Sequence, residues 1–424
     1  MKKPKTTTLK NGLRVLLIPE SEMRTATVLV LVEAGSKYED RSINGLSHFL
    51  EHMCFKGTTK RPTAQGIATE LDSIGAEYNA FTGHEYTGYY AKVAHQHLGK
   101  ALDLVADLYV DPLFLPDDIE REKGVIVGEI DMRNDMLPSR AGELFMSLLY
   151  GDQPAGWPIA GPKELVTTFT RDQFIAYRKA HYVASSTIVV VAGKFDPKIV
   201  KRDIERSFTK ISTGSKKGKK KVDDKPRGER IKVEVKPVDQ THLVIGVRGA
   251  KIKHADIPGF TVLSAILGGG MSSRLFQKMR GELGLGYYTH ASHDAYTDHG
   301  VFAVGAGVDN ARVIEAVSVI CAELTKLTKE EVTQEELQKI KDMASGRILM
   351  GLESSDELAE YFGFQEVLRK EIRSPEDALK RIHAVTTKDI KRIAKKYFTT
   401  ERLYLALIGP ELDRDQLSKA MKIG

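Results

Sequence analysis

Residues 45–58 read GLSHFLEHMCFKGT, and what this run folds into decides what the rest of the chain has to build around it. Leu46, Phe49, Leu50 and Met53 recur at helical intervals, which predicts a short amphipathic helix beginning near Ser42 or Asn44, both good capping residues. On that helix His48 and His52 are four apart and lie on one face, the spacing that brings two imidazole nitrogens to a single tetrahedral ion. Glu51, three residues on from His48, shares that side and can reach a water on the ion without being a ligand. Cys54 falls roughly 200° round the helix from His52 and reads as a packing residue. The motif alone does not decide for a metal, because two histidines and a glutamate can reach these offsets by chance on harmless surface helices. A third ligand on another element is required.

Outward from this run the sequence reads twice. Residues 7–19 form a hairpin around Asn11-Gly12, 26–32 a second strand, 63–74 a helix, and 78–93 two strands around Gly83. Helices over 97–110, 116–132 and 171–181 follow, then the apolar strand 187–192. The composition changes abruptly over 211–230, where STGSKKGKKKVDDKPRGER has no apolar periodicity and reads as a solvated basic linker. Beyond it the pattern returns: strand 241–248, helix 260–267, strand 300–308, helices 311–325, 333–350 and 387–397, strand 403–408 and helix 413–421. The expected fold is therefore α+β, two homologous domains, each a mainly antiparallel sheet covered by helices. Their expected bounds are 1–210 and 231–424, with 211–230 between them. Aligning Gly45 with Gly259 sets Val262, Ala265 and Ile266 opposite His48, Glu51 and His52. A helix at this place does not need histidine or glutamate in order to pack, so the first copy carries them for another purpose.

Composition narrows the class. A chain of 424 residues, 42% hydrophobic and 28% charged, has the make-up of a soluble enzyme with more than one domain. A formal charge of +6, part of it in the linker, gives no basis for nucleic-acid binding. Two cysteines far apart, Cys54 and Cys321, are too few for a disulfide framework and point to a reducing compartment. No apolar segment follows the basic N-terminal residues and no run of about eighteen apolar residues occurs, so a cytoplasmic location without membrane association is expected. Gly268-Gly269-Gly270 and Gly284-x-Gly286 match neither a dinucleotide fingerprint nor a phosphate loop. His95 and His97, two apart, read as surface residues.

The predicted helix 116–132, containing IEREKGVIVGEI, offers candidates for the third ligand. Glu122 and Glu129 are two turns apart and share a face, and Asp118 lies on the same side. Spacing does not choose among the three.

Four stretches taken together, HFLEHMCFKGT, NAFTGHEYTGYYAKV, IEREKGVIVGEI and RLFQKMRGELGLGYY, resemble the pitrilysin or insulinase family of zinc peptidases, and at this length its short members similar to the mitochondrial processing peptidase. His-x-x-Glu-His is the inverzincin order. The resemblance runs along nearly the whole chain, including its duplicated half. It implies that His48, His52 and Glu129 hold one Zn2+ per chain, that Glu51 is the base, and that Glu122 is a carboxylate supporting a ligand. It implies too that Asn79 and Ala80 lie on an edge strand that takes a peptide as an added β-strand. Arg280 and Tyr287 match a pair that contacts the substrate backbone and the scissile carbonyl. Gly281-Glu282-Leu283-Gly284 departs from the Glu-Lys-Arg-Gly more usual there.

The activity so implied is zinc-dependent endopeptidase cleavage of unfolded peptides, inside a chamber made by two subunits. In the family's heterodimers one chain carries the zinc motif and the other the Arg and Tyr pair, whereas this chain has both; a homodimer with two composite sites is the expectation. The alternative is a non-catalytic core-type subunit of the same fold, and the intact His48, Glu51, His52 and Glu129 speak against it.

Overall fold

The computed structural model describes residues 3–226 and 228–424. In the first half the order is β1 (Thr6–Thr8), β2 (Arg14–Pro19), β3 (Thr25–Val32), α1 (Leu46–Met53), α2 (Ala64–Asp72), β4 (Glu77–Thr82) and β5 (Thr87–Ala94). Then come α3 (Leu98–Val110), α4 (Pro116–Asp135), α5 (Leu137–Tyr150), α6 (Lys163–Val166), α7 (Arg171–His181), β6 (Thr187–Gly193) and α8 (Pro197–Ser207). The second half runs β7 (Ile231–Val235), β8 (Gln240–Arg248), α9 (Ile257–Gly268), a π-helical turn (Phe276–Glu282), β9 (Gly286–Ala295), β10 (Gly300–Asp309) and α10 (Val313–Lys329). It ends with α11 (Gln334–Met350), α12 (Ser355–Phe364), α13 (Pro375–His383), α14 (Thr387–Tyr397), β11 (Tyr404–Gly409) and α15 (Arg414–Ala420).

The duplication is visible in the sheets. The first has the order β1-β2-β6-β3-β5-β4 and the second β7-β11-β8-β10-β9. In each, one pair is parallel, β2 with β6 and β7 with β11, and the remaining pairs are antiparallel. Leaving out β1, strand for strand the two sheets have the same plan, as expected of a mainly antiparallel α+β repeat.

The compact units differ from the contiguous halves read from the sequence. One consists of Met1–Ile130, Pro158–Lys220 and Leu349–Ser374, the other of Asp131–Trp157, Lys221–Ile348 and Pro375–Gly424. The chain therefore exchanges a helix in each direction: α12 belongs to the first unit and α5 to the second. Their corresponding packing explains why the strands read as continuous apolar runs rather than alternating ones. Ala26, Val28, Val30 and Val32 of β3 face one core, while Leu29 and Leu31 face Leu358, Ala359 and Phe362 of α12 on the other side. In the second unit Leu243, Ile245 and Val247 of β8 face one core, and Val244 packs in a cluster with Leu144, Phe145 and Leu149 of α5.

The basic run is not simply solvated. Lys216 pairs with Glu33, and Lys219 Nζ lies 3.1 Å from Glu85 Oε1, so buried carboxylates of the first unit hold it down. Arg227 of the same run lies outside the described residues. Among the described residues no helix is long and apolar enough to cross a membrane.

Candidate metal centre

The motif helix starts later than expected, at Leu46, and neither Ser42 nor Asn44 caps it. Its N-cap is Gly45, at φ +103, where a Cβ would also lie 2.5 Å from the Ala160 carbonyl oxygen; only glycine combines that dihedral with that approach. The missing cap is supplied from outside the helix by Glu39. Asn44 Nδ2 and Gly45 N donate to its Oε2 at 3.1 and 2.9 Å, and Ser47 N and Oγ donate to Oε1 at 2.7 and 2.5 Å. Burial pushes the Glu39 carboxyl up to about 7 despite these donors. The first turn of the helix is thus fixed by four bonds, immediately before His48.

From this helix and α4 the structure brings three side chains together. Ligand atoms of His48, His52 and Glu129 all lie within 4.8 Å of one another. His48 Nε2 and His52 Nε2 are 3.6 and 3.5 Å from the same Glu129 oxygen, Oε2. Two donors bound at about 2.1 Å to one tetrahedral ion are about 3.4 Å apart, so the spacing fits a small divalent cation and is too wide for good hydrogen bonds. Asp118 is not part of this group; it pairs with Arg121 in the first turn of α4.

Glu122, one face-repeat before Glu129, supports His52: its Oε1 is 2.9 Å from His52 Nδ1, and its Oε2 accepts from Lys56 Nζ at 2.6 Å. This fixes which imidazole nitrogen is turned to the ion. Burial opposes the charge on both partners, but the hydrogen bonds outweigh it: His52 is raised to about 9, and Glu122 is held below the usual carboxylate range. Among the described residues, by contrast, His48 Nδ1 is buried with no hydrogen-bond partner, so packing orients that ring. Glu51 is half-buried and its pKa is raised by burial, against a 2.5 Å hydrogen bond that Thr82 Oγ1 donates to its Oε2. A carboxylate with a raised pKa and one oxygen held is suited to accept a proton from water.

Asn79 and Ala80 lie on β4, which is the edge of the first sheet, as expected. Ala80 N donates to Asn79 Oδ1 at 2.9 Å. Arg280 and Tyr287 lie in the second unit. Arg280 is exposed and stacks over Phe276 at 5.2 Å, and Tyr287, 67% exposed, is the second residue of the edge strand β9.

Sequence reasoning passed over Lys56, Thr82 and Glu39. Lys56 is four residues beyond His52, one turn on, and Thr82 is two beyond Ala80, on the same strand face; both offsets were available as signals. Glu39 had no such signal, because its role depends on a loop.

Residues 14–163 match the family described as insulinase (peptidase family M16), and residues 168–344 match the peptidase M16 inactive domain. The chain is 33% identical over 404 residues to an uncharacterized zinc protease, YmxG, of Bacillus subtilis, covering 95% of this chain and 97% of that one. In structure it is similar to a protease from Helicobacter pylori, with TM-score 0.89, 27% identity, and coverage of 96% and 99%. A chain of complex III2 from Candida albicans shares the fold, with TM-score 0.84 at 18% identity over 98% and 99% of the two chains.

Proposed function

The chain belongs to the M16, or insulinase, family of peptidases, and from that membership we propose that it is a zinc-dependent endopeptidase acting on unfolded peptides. The observation that carries this reading is the convergence of His48 Nε2, His52 Nε2 and Glu129 Oε2 at the spacing of a tetrahedral ion. A zinc ion held there supplies a Lewis acid and a water of lowered pKa.

The protein's own groups do the rest. Glu51, with Oε2 held by Thr82, takes the proton of the attacking water and returns it to the departing amine. The unpaired side of β4, at Asn79 and Ala80, takes the peptide as an added strand through backbone hydrogen bonds, with little regard to side chain. Arg280 and Tyr287 meet the charge that develops on the scissile carbonyl oxygen, a contact whose loss costs roughly 10²- to 10³-fold in rate.

Because one chain carries both the metal motif and the Arg and Tyr pair, we take the working form to be a homodimer enclosing a chamber, each site completed by Arg280 and Tyr287 of the other copy. Mixing Glu51→Gln with Arg280→Ala protein should then restore up to about a quarter of wild-type activity on random pairing; no recovery after verified subunit exchange would show that sites do not form across copies. Cys54 and Cys321, both buried and neither in a disulfide, favour a reducing compartment such as the cytoplasm.

The direct test is Glu51→Gln. It should keep one zinc per chain by metal analysis and lose hydrolysis of a quenched peptide library. Near wild-type turnover would remove Glu51 from the reaction. A non-catalytic role of the same fold requires that wild-type protein, loaded with zinc, cleave nothing in that library.

A further inference from the structure

We propose that Lys219, in the basic run between the two halves, is a positioning residue for Glu51, acting through Glu85 and the turn that ends at β5. This rests on Glu51 being the base. The contact to be positioned is short: Thr82 Oγ1 to Glu51 Oε2, 2.5 Å. Thr82 is the last residue of β4, an edge strand that pairs only with β5, so among the described residues no strand holds its outer side. Where Thr82 stands relative to α1 therefore depends on the turn Gly83-His84-Glu85-Tyr86 that follows it.

That turn is fastened from the stretch after β3. Ser36 N donates to Gly83 O at 3.3 Å and Lys37 N to His84 O at 2.9 Å, while Ser36 Oγ and His84 Nδ1 are 2.9 Å apart. Gly35 lies so close that a Cβ there would be 2.3 Å from Gly83 O, which leaves no slack between the two segments. The side-chain anchor is Glu85. Lys37 Nζ donates to its Oε1 at 2.8 Å, with both side chains about fully buried, and Lys219 Nζ reaches the same oxygen at 3.1 Å.

A lysine from a solvated linker has no reason to be buried. The Lys219 side chain is only 13% exposed, and three residues earlier Lys216 is tied to Glu33. The run is thus strapped at Glu33 and at Glu85, and its second anchor is in the turn that places Thr82. A buried carboxylate holding two ammonium groups has its geometry set by both. Removing the outer one takes away one of the charges that set the Glu85 carboxylate and shifts the turn that carries it. A displacement of a few tenths of an ångström is enough to lengthen a 2.5 Å hydrogen bond materially.

The test uses Lys219→Met in the full-length, zinc-loaded protein, because it keeps the apolar stem and the buried Lys37–Glu85 pair, whose loss would endanger folding. With a quenched peptide substrate, kcat should fall about 3- to 10-fold, with KM changed less than about 2-fold and zinc still one per chain. Thr82→Val should lower kcat at least as far, and Thr82→Ser should recover most of it. In Thr82→Val protein the added Lys219→Met should cost nothing more, since the contact it acts through is already gone. A wild-type kcat in Lys219→Met, or losses that multiply in the double variant, would overturn the proposal. Glu51→Gln, run alongside, separates the two claims. If it still cleaves, the base assignment fails; if it is inactive while Lys219→Met is unimpaired, only the role of Lys219 fails.

Discussion

Glu122 divides its two oxygens between His52 Nδ1 and Lys56 Nζ, and this division decides how well one of the two imidazoles can serve a metal. Without the carboxylate, His52 is free to rotate or to turn its other nitrogen to the ion. Carboxylates in this position are worth about 10- to 100-fold in metal affinity. Glu122→Gln is expected to weaken zinc binding by that range in competition with a chelator, and Lys56→Met to weaken it in the same direction by less, since Glu122 keeps its charge but loses a tether. Equal affinity in Glu122→Gln and wild type would mean that packing alone orients His52, as it does His48. At this scale the sequence was legible where chemistry follows a helical offset: His48, Glu51 and His52 could be read from spacing alone. Glu129 could not, because Asp118, Glu122 and Glu129 share a helix face, and only the family resemblance chose among them. Glu39 touches its targets from a loop, and no local period records such a contact.

At the scale of elements, strands and most helices announce themselves by period, but a helix's apolar stripe does not say which sheet it covers. The segments 137–150 and 355–364 are the case in point. Each is amphipathic, each stands at the corresponding place in its half of the repeat, and each packs on the sheet built by the other half. The contiguous bounds 1–210 and 231–424 missed this because proximity in sequence was taken for proximity in space. The exchange makes a testable difference. Residues 1–210 alone would leave Leu16, Leu29, Leu31, Ile188 and Val190 without Leu358, Ala359 and Phe362 over them. At about 1.5–3 kcal/mol for each large side chain left exposed, the loss is on the order of 10 kcal/mol, as large as the whole stability of an ordinary domain. The fragment 1–210 is therefore expected to lack a cooperative urea transition and near-ultraviolet circular dichroism, and to regain both when 349–374 is supplied on a flexible tether. A fragment that unfolds cooperatively by itself would show that α12 is dispensable cover.

For the whole molecule, the duplication supplies its own control: the same strand plan is built once around a helix carrying His48, Glu51 and His52 and once around a helix with Val262, Ala265 and Ile266 in those places. Zinc held by His48, His52 and Glu129 would be a ligand of one unit only, yet its effect should not stay there. Since the helix that covers each sheet is carried by the other half of the chain, each unit is assembled from both halves and joined to the other by several chain crossings, and the chain is expected to melt as one cooperative block. Zinc at 100-fold above its dissociation constant adds about 2.7 kcal/mol to the folded state. Spread over an unfolding entropy of about 2.1 cal/mol/K per residue, that corresponds to a shift of only about 3 °C. Chelation is accordingly expected to lower Tm by about that much in a single calorimetric peak, monitored on Glu51→Gln protein so that self-cleavage cannot contribute. If chelator instead split the peak, with one half of the heat moving and the other staying, the two units would be folding independently. Each unit, with the helix it takes from the other half of the chain, would then be a separate folding block despite the chain crossings that join them.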